Sequence, residues 1–423
     1  MAVESVGYSL GVTWLTLYDL RALTTESLGL RSTPHDLPPP GLGSSSPATS
    51  STSKNPSPKY RLTPQPRPAV SHRHSPLPKL PPSFGKNQLL PVSNSTRALL
   101  ESVVAKFNAP IRYAFAYGSG VFEQDGYAQK EGAEKPMLDF MFAVTHPAHF
   151  HSINMQQFPG HYPLYSRVLG SSYISKVQEI APGVWFNPYV TIEGVTIKYG
   201  VTTVDNLCAD LLNWRTLYLA GRMHKPLRII KDDARVRLTQ QVNLTSAVRA
   251  ALLTLPDSFS ETELFERIAG ISYTGDPRMM LPAENRSKVT NIVSKQGPQF
   301  RELYHRLVVA LPGTHWTPSG RIEQDTSAKA RSAHLKKLPT GLLERVKGRY
   351  SGNPEVKELE TDEQAYWTKM AGDEKLSEVL RTELGGIVRY PATVQTLKGI
   401  ASAGVGKSVR YGSAKFNKWW AGS

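Results

Sequence analysis

An α/β (or α+β) layer followed by a smaller helical domain is the fold class the sequence predicts, and three observations carry it. Short apolar runs of strand type alternate with helically spaced apolar residues between 95 and 221. From 222 to 319 the pattern turns helical, and the closing residues 388–423 are small, basic and aromatic. At 423 residues the chain is long enough for two or three domains.

Taken in order, residues 1–94 stand apart. Between Arg31 and Pro91 lie 15 of the 32 prolines, interleaved with Ser and Thr, a composition that cannot bury enough apolar surface to fold. This segment reads as disordered and basic. It suits an organelle-targeting region, although Glu4, Asp19 and Glu26 against the single Arg21 depart from that pattern at the very start. Order is expected from near Ser93. Leu99, Leu100, Val103, Val104 and Phe107 share one helical face in 96–107; strands are expected at 111–117, 138–144, 184–190 and 195–201. A helix is expected over 204–220, with Gly221 at its C-terminus.

Beyond 222 the sequence Ser260-Glu261-Thr262-Glu263 matches a capping box ahead of Leu264, Phe265 and Ile268, and Gly270 closes that helix. A loop, Tyr273 to Arg278, leads to a second helical stretch over 283–311. Residues 320–387 read as a charged surface segment of helices and loops. The domain plan is therefore 1–94, 95–221, 222–319, 320–387 and 388–423.

Charge narrows the partners. The formal net charge is +15, which favours phosphates, nucleic acid or anionic lipid. From Arg31 to Arg97 there are 9 Lys or Arg and one acid, Asp36, and after Glu383 there are 6 basic residues and no acid, so the excess lies outside the expected catalytic core. Cys208 is the single cysteine, which excludes internal disulfides and cysteine-rich zinc sites. His146, His149, His151 and His161 match no common zinc spacing, so no zinc is expected. No apolar run is long enough to span a bilayer.

The motif with the most chemistry is Tyr117-Gly118-Ser119-Gly120-Val121, followed by Asp139 inside the apolar run Met137 to Val144. A small-residue turn at a strand end lets backbone N–H groups of Gly118, Ser119 and Gly120 approach triphosphate oxygens, and Ser119 adds a hydroxyl. A carboxylate among apolar neighbours is costly unless a partner or a cation such as Mg²⁺ compensates it, which singles out Asp139. Arg222 and Lys225, after the expected helix end, could grip a phosphate or neutralise the helix terminus. Taking 100° per residue, Val409, Phe416, Trp419 and Trp420 fall on one arc and Arg410, Lys415 and Lys418 on the other, the pattern of an amphipathic helix on an anionic membrane surface.

With the GSG turn, Asp139, the strand Ile197-Lys198-Tyr199-Gly200-Val201, the loop Ile271 to Met279 and the closing Leu397-Lys398-Gly399-Ile400 in this order, the chain resembles the Tam41 family of mitochondrial phosphatidate cytidylyltransferases from about Val104 to Trp420. The resemblance implies a nucleotidyltransferase-like domain, a small winged-helix-like domain, and a C-terminal helix meeting the mitochondrial inner membrane peripherally from the matrix side. It implies the reaction of CTP with phosphatidate to give CDP-diacylglycerol and pyrophosphate, an early step towards cardiolipin and phosphatidylglycerol. With it come roles for Lys198 in neutralising phosphate charge, for Asp139 in holding Mg²⁺ and for Lys398 on phosphate or lipid. One departure stands out: many nucleotidyltransferases carry a second carboxylate two residues after the first, where this chain has Met141. Glu123, Asp125 and Glu193 are the candidate substitutes. The rival readings are a nucleotidyltransferase acting on RNA and a peripheral membrane tether or import component; the apolar arc beside the basic tail favours lipid over nucleic acid.

Overall fold

The computed structural model describes residues 81, 83–122, 137–280, 287–359 and 361–421. In chain order, helix α1 (Asn94–Ala105) precedes strand β1 (Tyr113–Tyr117) and a single turn α2 (Ser119–Phe122). Strand β2 (Leu138–Val144), helices α3 (Pro147–Gln157) and α4 (Leu164–Glu179), strands β3 (Trp185–Ile192) and β4 (Val195–Thr203), helix α5 (Val204–Asn213) and strand β5 (Leu227–Lys231) follow. The five strands form one mixed sheet in the order β3-β4-β2-β1-β5. Only β2 and β4 run parallel; the other pairs are antiparallel.

Strand periodicity explains how this sheet is buried on both faces. Phe140 and Phe142 of β2, with Tyr199 and Val201 of β4, point towards Leu100 and Val103 of α1. Met141 and Ala143 of β2, with Phe115 of β1, point the other way, into a core shared with Leu207 and Leu211 of α5. Helix α1 starts where Ser93 accepts a hydrogen bond from the Thr96 N–H, which satisfies one otherwise unpaired backbone donor.

The rest of the chain is helical with a small second sheet. Helix α6 (Ala234–Leu252) is followed by β6 (Ser258–Ser260), α7 (Glu261–Gly270), α8 (Lys288–Val309), β7 (Thr314–Trp316) and β8 (Arg321–Gln324). The three strands pair in the order β6-β8-β7. The expected capping box is present: Ser260 Oγ accepts from the Glu263 N–H at 3.2 Å while the Glu263 carboxylate accepts from the Ser260 N–H at 2.7 Å. Phe265 of α7 stacks on Phe300 of α8 with ring centroids 5.3 Å apart. Helices α9 (Ala328–Leu335), α10 (Thr340–Tyr350), α11 (Pro354–Lys357), α12 (Glu363–Ala371) and the long α13 (Leu376–Ala421) complete the chain. No helix among the described residues is long and apolar enough to cross a membrane.

Four expectations change. The helix expected over 204–220 stops at Asn213, because Trp214 turns left-handed at φ 52°. The sheet takes its edge strand β5 from beyond residue 221, where the next domain was expected to begin. Residues 320–387 are more than a surface segment, since Leu335, Leu342, Val346, Trp367, Met370 and Leu380 are buried in the main core. Lastly, the end of the expected disordered segment packs: a 3₁₀ turn at Lys86–Gln88 buries Asn87, whose amide donates to the Leu303 carbonyl at 2.8 Å, and Gln88, which donates to the Arg237 carbonyl at 3.0 Å. The rest of that segment lies outside the described residues.

Candidate active site

Strand register assembles the centre of the site. Tyr117 of β1 is paired with Asp139 of β2, and Asp139 with Lys198 of β4. Residues level on adjacent strands point to the same face, so phenol, carboxylate and ammonium stand in a row at one end of the sheet. Lys198 Nζ lies 3.1 Å from Asp139 Oδ1, both side chains being about a quarter exposed. Burial works against the Lys198 charge, but Asp139 outweighs it and the ammonium is raised above its ordinary pKa. The pair is an ion pair without an aligned hydrogen bond, for Asp139 Oδ1 is buried and has no hydrogen-bond donor. Gly118 crosses directly above with φ +92°, a conformation that favours glycine, and a Cβ there would lie 3.6 Å from Asp139 Oδ2.

This row opens into a cavity of about 450 Å³. Its second wall comes from the segment after α5. That segment is folded by Asp210, a buried carboxylate that accepts hydrogen bonds from the backbone N–H groups of Thr216, Leu217, Leu219 and Ala220 at 2.7–3.1 Å. The turn so formed delivers Tyr218, Arg222 and Lys225 to the cavity. The Arg222 guanidinium lies 3.8 Å from the Tyr218 ring centroid and donates to the Tyr218 carbonyl at 2.6 Å. Lys225 Nζ donates to the Gly221 carbonyl at 2.6 Å and to Ser272 Oγ at 2.8 Å. Burial, then the neighbouring Arg222 and Lys288, pull its pKa down to about 7.

The third wall is helical: Ser272 to Arg278, Lys288 to Gln296 of α8, and Val388 and Ala392 of α13. Gly275, at φ +76°, touches α13 backbone to backbone, since a Cβ there would meet the Gly385 carbonyl oxygen at 2.5 Å. Among the described lining residues, six are cationic (Lys198, Arg222, Lys225, Arg278, Lys288 and Lys295) and two are acidic, Asp139 and Asp276. Asp276 is committed: Arg278 grips both of its oxygens at 2.6–3.2 Å. Burial opposes the Asp276 charge, but Arg278 outweighs that and keeps the carboxyl below its usual range.

The sequence placed Gly118, Asp139, Lys198, Arg222 and Lys225 in one site, and the structure brings these five together. Gly120 is buried in α2 behind the turn, and the Ser119 side chain lies outside the described residues. Lys398 is a correction. It does not line the cavity; its ammonium donates to the carbonyls of Gln178 and Ile180 at 3.2 and 2.8 Å, capping the C-terminal end of α4, and burial pulls its pKa down to about 7. Glu193 is engaged by Lys106 at 2.6 Å, while Glu123 and Asp125 lie outside the described residues. Met141 is fully buried, and its side-chain end fills the space that Gly200 leaves open beside Phe186, so this position is part of the apolar core. The side chains of Val409, Arg410, Lys415, Phe416, Lys418, Trp419 and Trp420 lie outside the description, although their backbone belongs to α13. His151 and His161 serve packing: His151 bonds the Tyr162 hydroxyl and Gln178 at 2.9 Å each, and His161 stacks on Phe158. Arg278, Lys288, Lys295, Tyr117 and Tyr218 were missed as site residues. Tyr117 heads the glycine-turn motif and Arg278 falls in the Ile271 to Met279 block that carries the resemblance, but neither was assigned a role there.

A mixed α/β sheet ending in a carboxylate and ammonium, beneath a glycine turn and facing a cation-lined cavity, defines a protein built to hold phosphorylated ligands. The family model described as phosphatidate cytidylyltransferase, mitochondrial, matches residues 100–418. Proteins of that name from Xenopus laevis and Danio rerio are 40% and 39% identical over 333 and 340 residues, covering 78% and 79% of this chain and 96% and 98% of theirs. The Saccharomyces cerevisiae protein of that name is 40% identical over 276 residues, 64% of this chain and 70% of its own. The chain belongs to the mitochondrial phosphatidate cytidylyltransferase family.

Proposed function

We propose that this chain transfers the cytidylyl group of CTP to phosphatidate, giving CDP-diacylglycerol and pyrophosphate. The observation that carries the reading is the row Tyr117, Asp139, Lys198 under the Gly118 turn, opening into a cavity with six cationic side chains. In this reaction a phosphate oxygen of the lipid bonds to the α-phosphorus of CTP, and the bond from that phosphorus to the bridging oxygen breaks as pyrophosphate leaves. The nucleophile is already anionic, so positioning and charge neutralisation are what the protein must supply. The Gly118–Gly120 turn, with Ser119, receives the triphosphate. Lys198, kept protonated beside Asp139, and Arg222, held over Tyr218, neutralise charge on the leaving pyrophosphate. Lys225, Lys288, Lys295 and Arg278 lie on the side left for the lipid phosphate.

Among the described residues, Asp139 is the cavity carboxylate that would hold a Mg²⁺, since Asp276 is gripped by Arg278. Lys198 Nζ lies 3.1 Å from Asp139 Oδ1, so a Mg²⁺ at Asp139 would share the carboxylate with that ammonium, and Met141 supplies no second carboxylate. Mg²⁺ usually draws most of its ligands from substrate phosphates and water beside one or two carboxylates, and Asp139 would be one of them. The ion would draw charge off the phosphate oxygens.

The five-stranded sheet carrying this site agrees with a nucleotidyltransferase-like domain, and α7, α8 and the β6-β8-β7 sheet with a winged-helix-like one. The relatives are named mitochondrial; a phospholipid substrate and the amphipathic pattern of 409–420 support a peripheral position on the matrix side of the inner membrane. The test is turnover. Purified protein with Mg²⁺, CTP and phosphatidate is expected to release pyrophosphate, and more from CTP than from ATP, GTP or UTP. Release dependent on an RNA acceptor, and absent with phosphatidate, would overturn the reading.

A further inference from the structure

Helix α4 is built inside out for a helix in water. Towards the protein it buries Ser166, Ser175 and Gln178 beside Ile174. Towards solvent it presents Leu164 at 68% exposure, Val168 at 76% and Leu169 at 53%, together with Tyr165 and Tyr173. Positions 164, 165, 168 and 169 make one stripe ahead of the break at Gly170 (φ 80°). With Ile180, half of the twelve large apolar side chains exposed among the described residues fall within 164–180. Scattered exposed leucines need no explanation, but a contiguous apolar face marks an interaction surface.

The geometry points to a bilayer-docking surface: the outer face of α4, continued by Leu397 and Tyr390 of α13, rests on an anionic lipid surface and presents the cavity to it. The inference rests on the reading that the acceptor is a membrane phospholipid. Two further observations select this occupant. Arg167 and Lys176 are exposed on α4 against one exposed acid, Glu179, and Arg389 is exposed next to Tyr390 on α13, a balance that suits anionic headgroups. Helix α4 is also joined to a helix that lines the cavity, because Lys398 of α13 grips the C-terminal end of α4 beside the exposed Ile180, and Ala392 of α13 lines the cavity. This contact is separate from the 409–420 stretch.

The test is co-sedimentation of the full chain with sucrose-loaded vesicles of phosphatidylcholine containing phosphatidate, and of phosphatidylcholine alone. The double substitution Val168→Glu, Leu169→Glu is expected to lower the partition coefficient on the anionic vesicles at least fivefold. Turnover on a water-soluble, short-chain phosphatidate should stay unchanged, and Val242→Glu, an exposed apolar residue on α6 (42% exposed), should bind like the parent. If the glutamates disturb folding, Val168→Ser, Leu169→Ser replaces them, with the same loss expected at smaller size. Parent-like pelleting by a folded variant would overturn the proposal. So would a parent dimer, seen by sedimentation velocity, that the substitution dissociates while vesicle binding persists, since the face would then belong to a second copy. Failure of the parent to turn over short-chain phosphatidate would strike the proposed reaction and leave the pelleting result to be read on its own.

Discussion

In the proposed reaction Asp139 would hold the cation, and its substitution separates charge from shape. Asp139→Asn is expected to reduce kcat/KM at least a hundredfold, about 2.7 kcal/mol of transition-state stabilisation, while the melting temperature moves little because the side chain borders an open cavity. Near-parental turnover would make the carboxylate structural. Lys225 offers a second test through protons. Its pKa is about 7 in the folded chain, whereas an unfolded lysine titrates near 10.4. Between those values the unfolded chain binds more protons, so this residue's penalty on stability is largest below pH 7 and is relieved as pH rises. A bound phosphate favours the ammonium, so binding near pH 8 should take up a fraction of a proton and weaken with rising pH. Calorimetry of the binding of a water-soluble, short-chain phosphatidate in buffers of different ionisation enthalpy checks this, and Lys225→Met should abolish the uptake. Uptake equal in parent and variant would assign it elsewhere.

Among the elements, the turn between α5 and β5 depends on one side chain. Asp210 satisfies four backbone donors in a segment where Trp214 and Leu217 sit at φ 52° and 53°, conformations that are uncommon outside glycine. Asp210→Asn keeps the volume but turns an amide N–H₂ towards N–H groups, at a cost of roughly 2–4 kcal/mol. Both a lower melting temperature and a raised KM for CTP are expected; a changed Tm with unchanged KM would detach the turn from the site. Sequence reading extended a helix through this stretch because the apolar spacing continues, and nothing local records that a carboxylate one turn earlier will bend the chain. The capping box at Ser260 and the strands β2 and β4 were legible, since short-range pattern decides them. Strand β5, five residues with an exposed end, carries too little pattern to be seen, and Arg278, Lys288 and Lys295 reach the site only through tertiary packing. Lys398 was legible as a residue of note but its partner was not, because that partner is a helix end more than two hundred positions away. The N-terminal boundary was placed a few residues late. Removing residues 1–80 should leave Tm nearly unchanged, whereas removing 1–90 takes away Asn87, Gln88 and the buried Leu90 and should cost on the order of 2–4 kcal/mol. Thermal denaturation of the two truncations compares them directly.

For the molecule as a whole, the walls of the cavity come from separate layers, with Lys198 on the sheet, Arg222 and Lys225 on the turn, and Arg278, Lys288 and Lys295 on the helical side. Even with Asp139 and Asp276 each paired to one of them, the cations around this space outnumber the acids and repel one another whenever it holds only water and small ions. The ligand is then a structural mortar as well as a reactant: a polyanion touching several walls turns mutual repulsion into a shared attraction and couples the layers into one cooperative unit. Pyrophosphate at about a hundredfold excess over its Kd should therefore raise Tm on the order of 5 °C. Sodium chloride at matched ionic strength should raise it far less, because screening weakens repulsion without bridging the walls. Equal shifts would show that the walls hold together without help from the ligand.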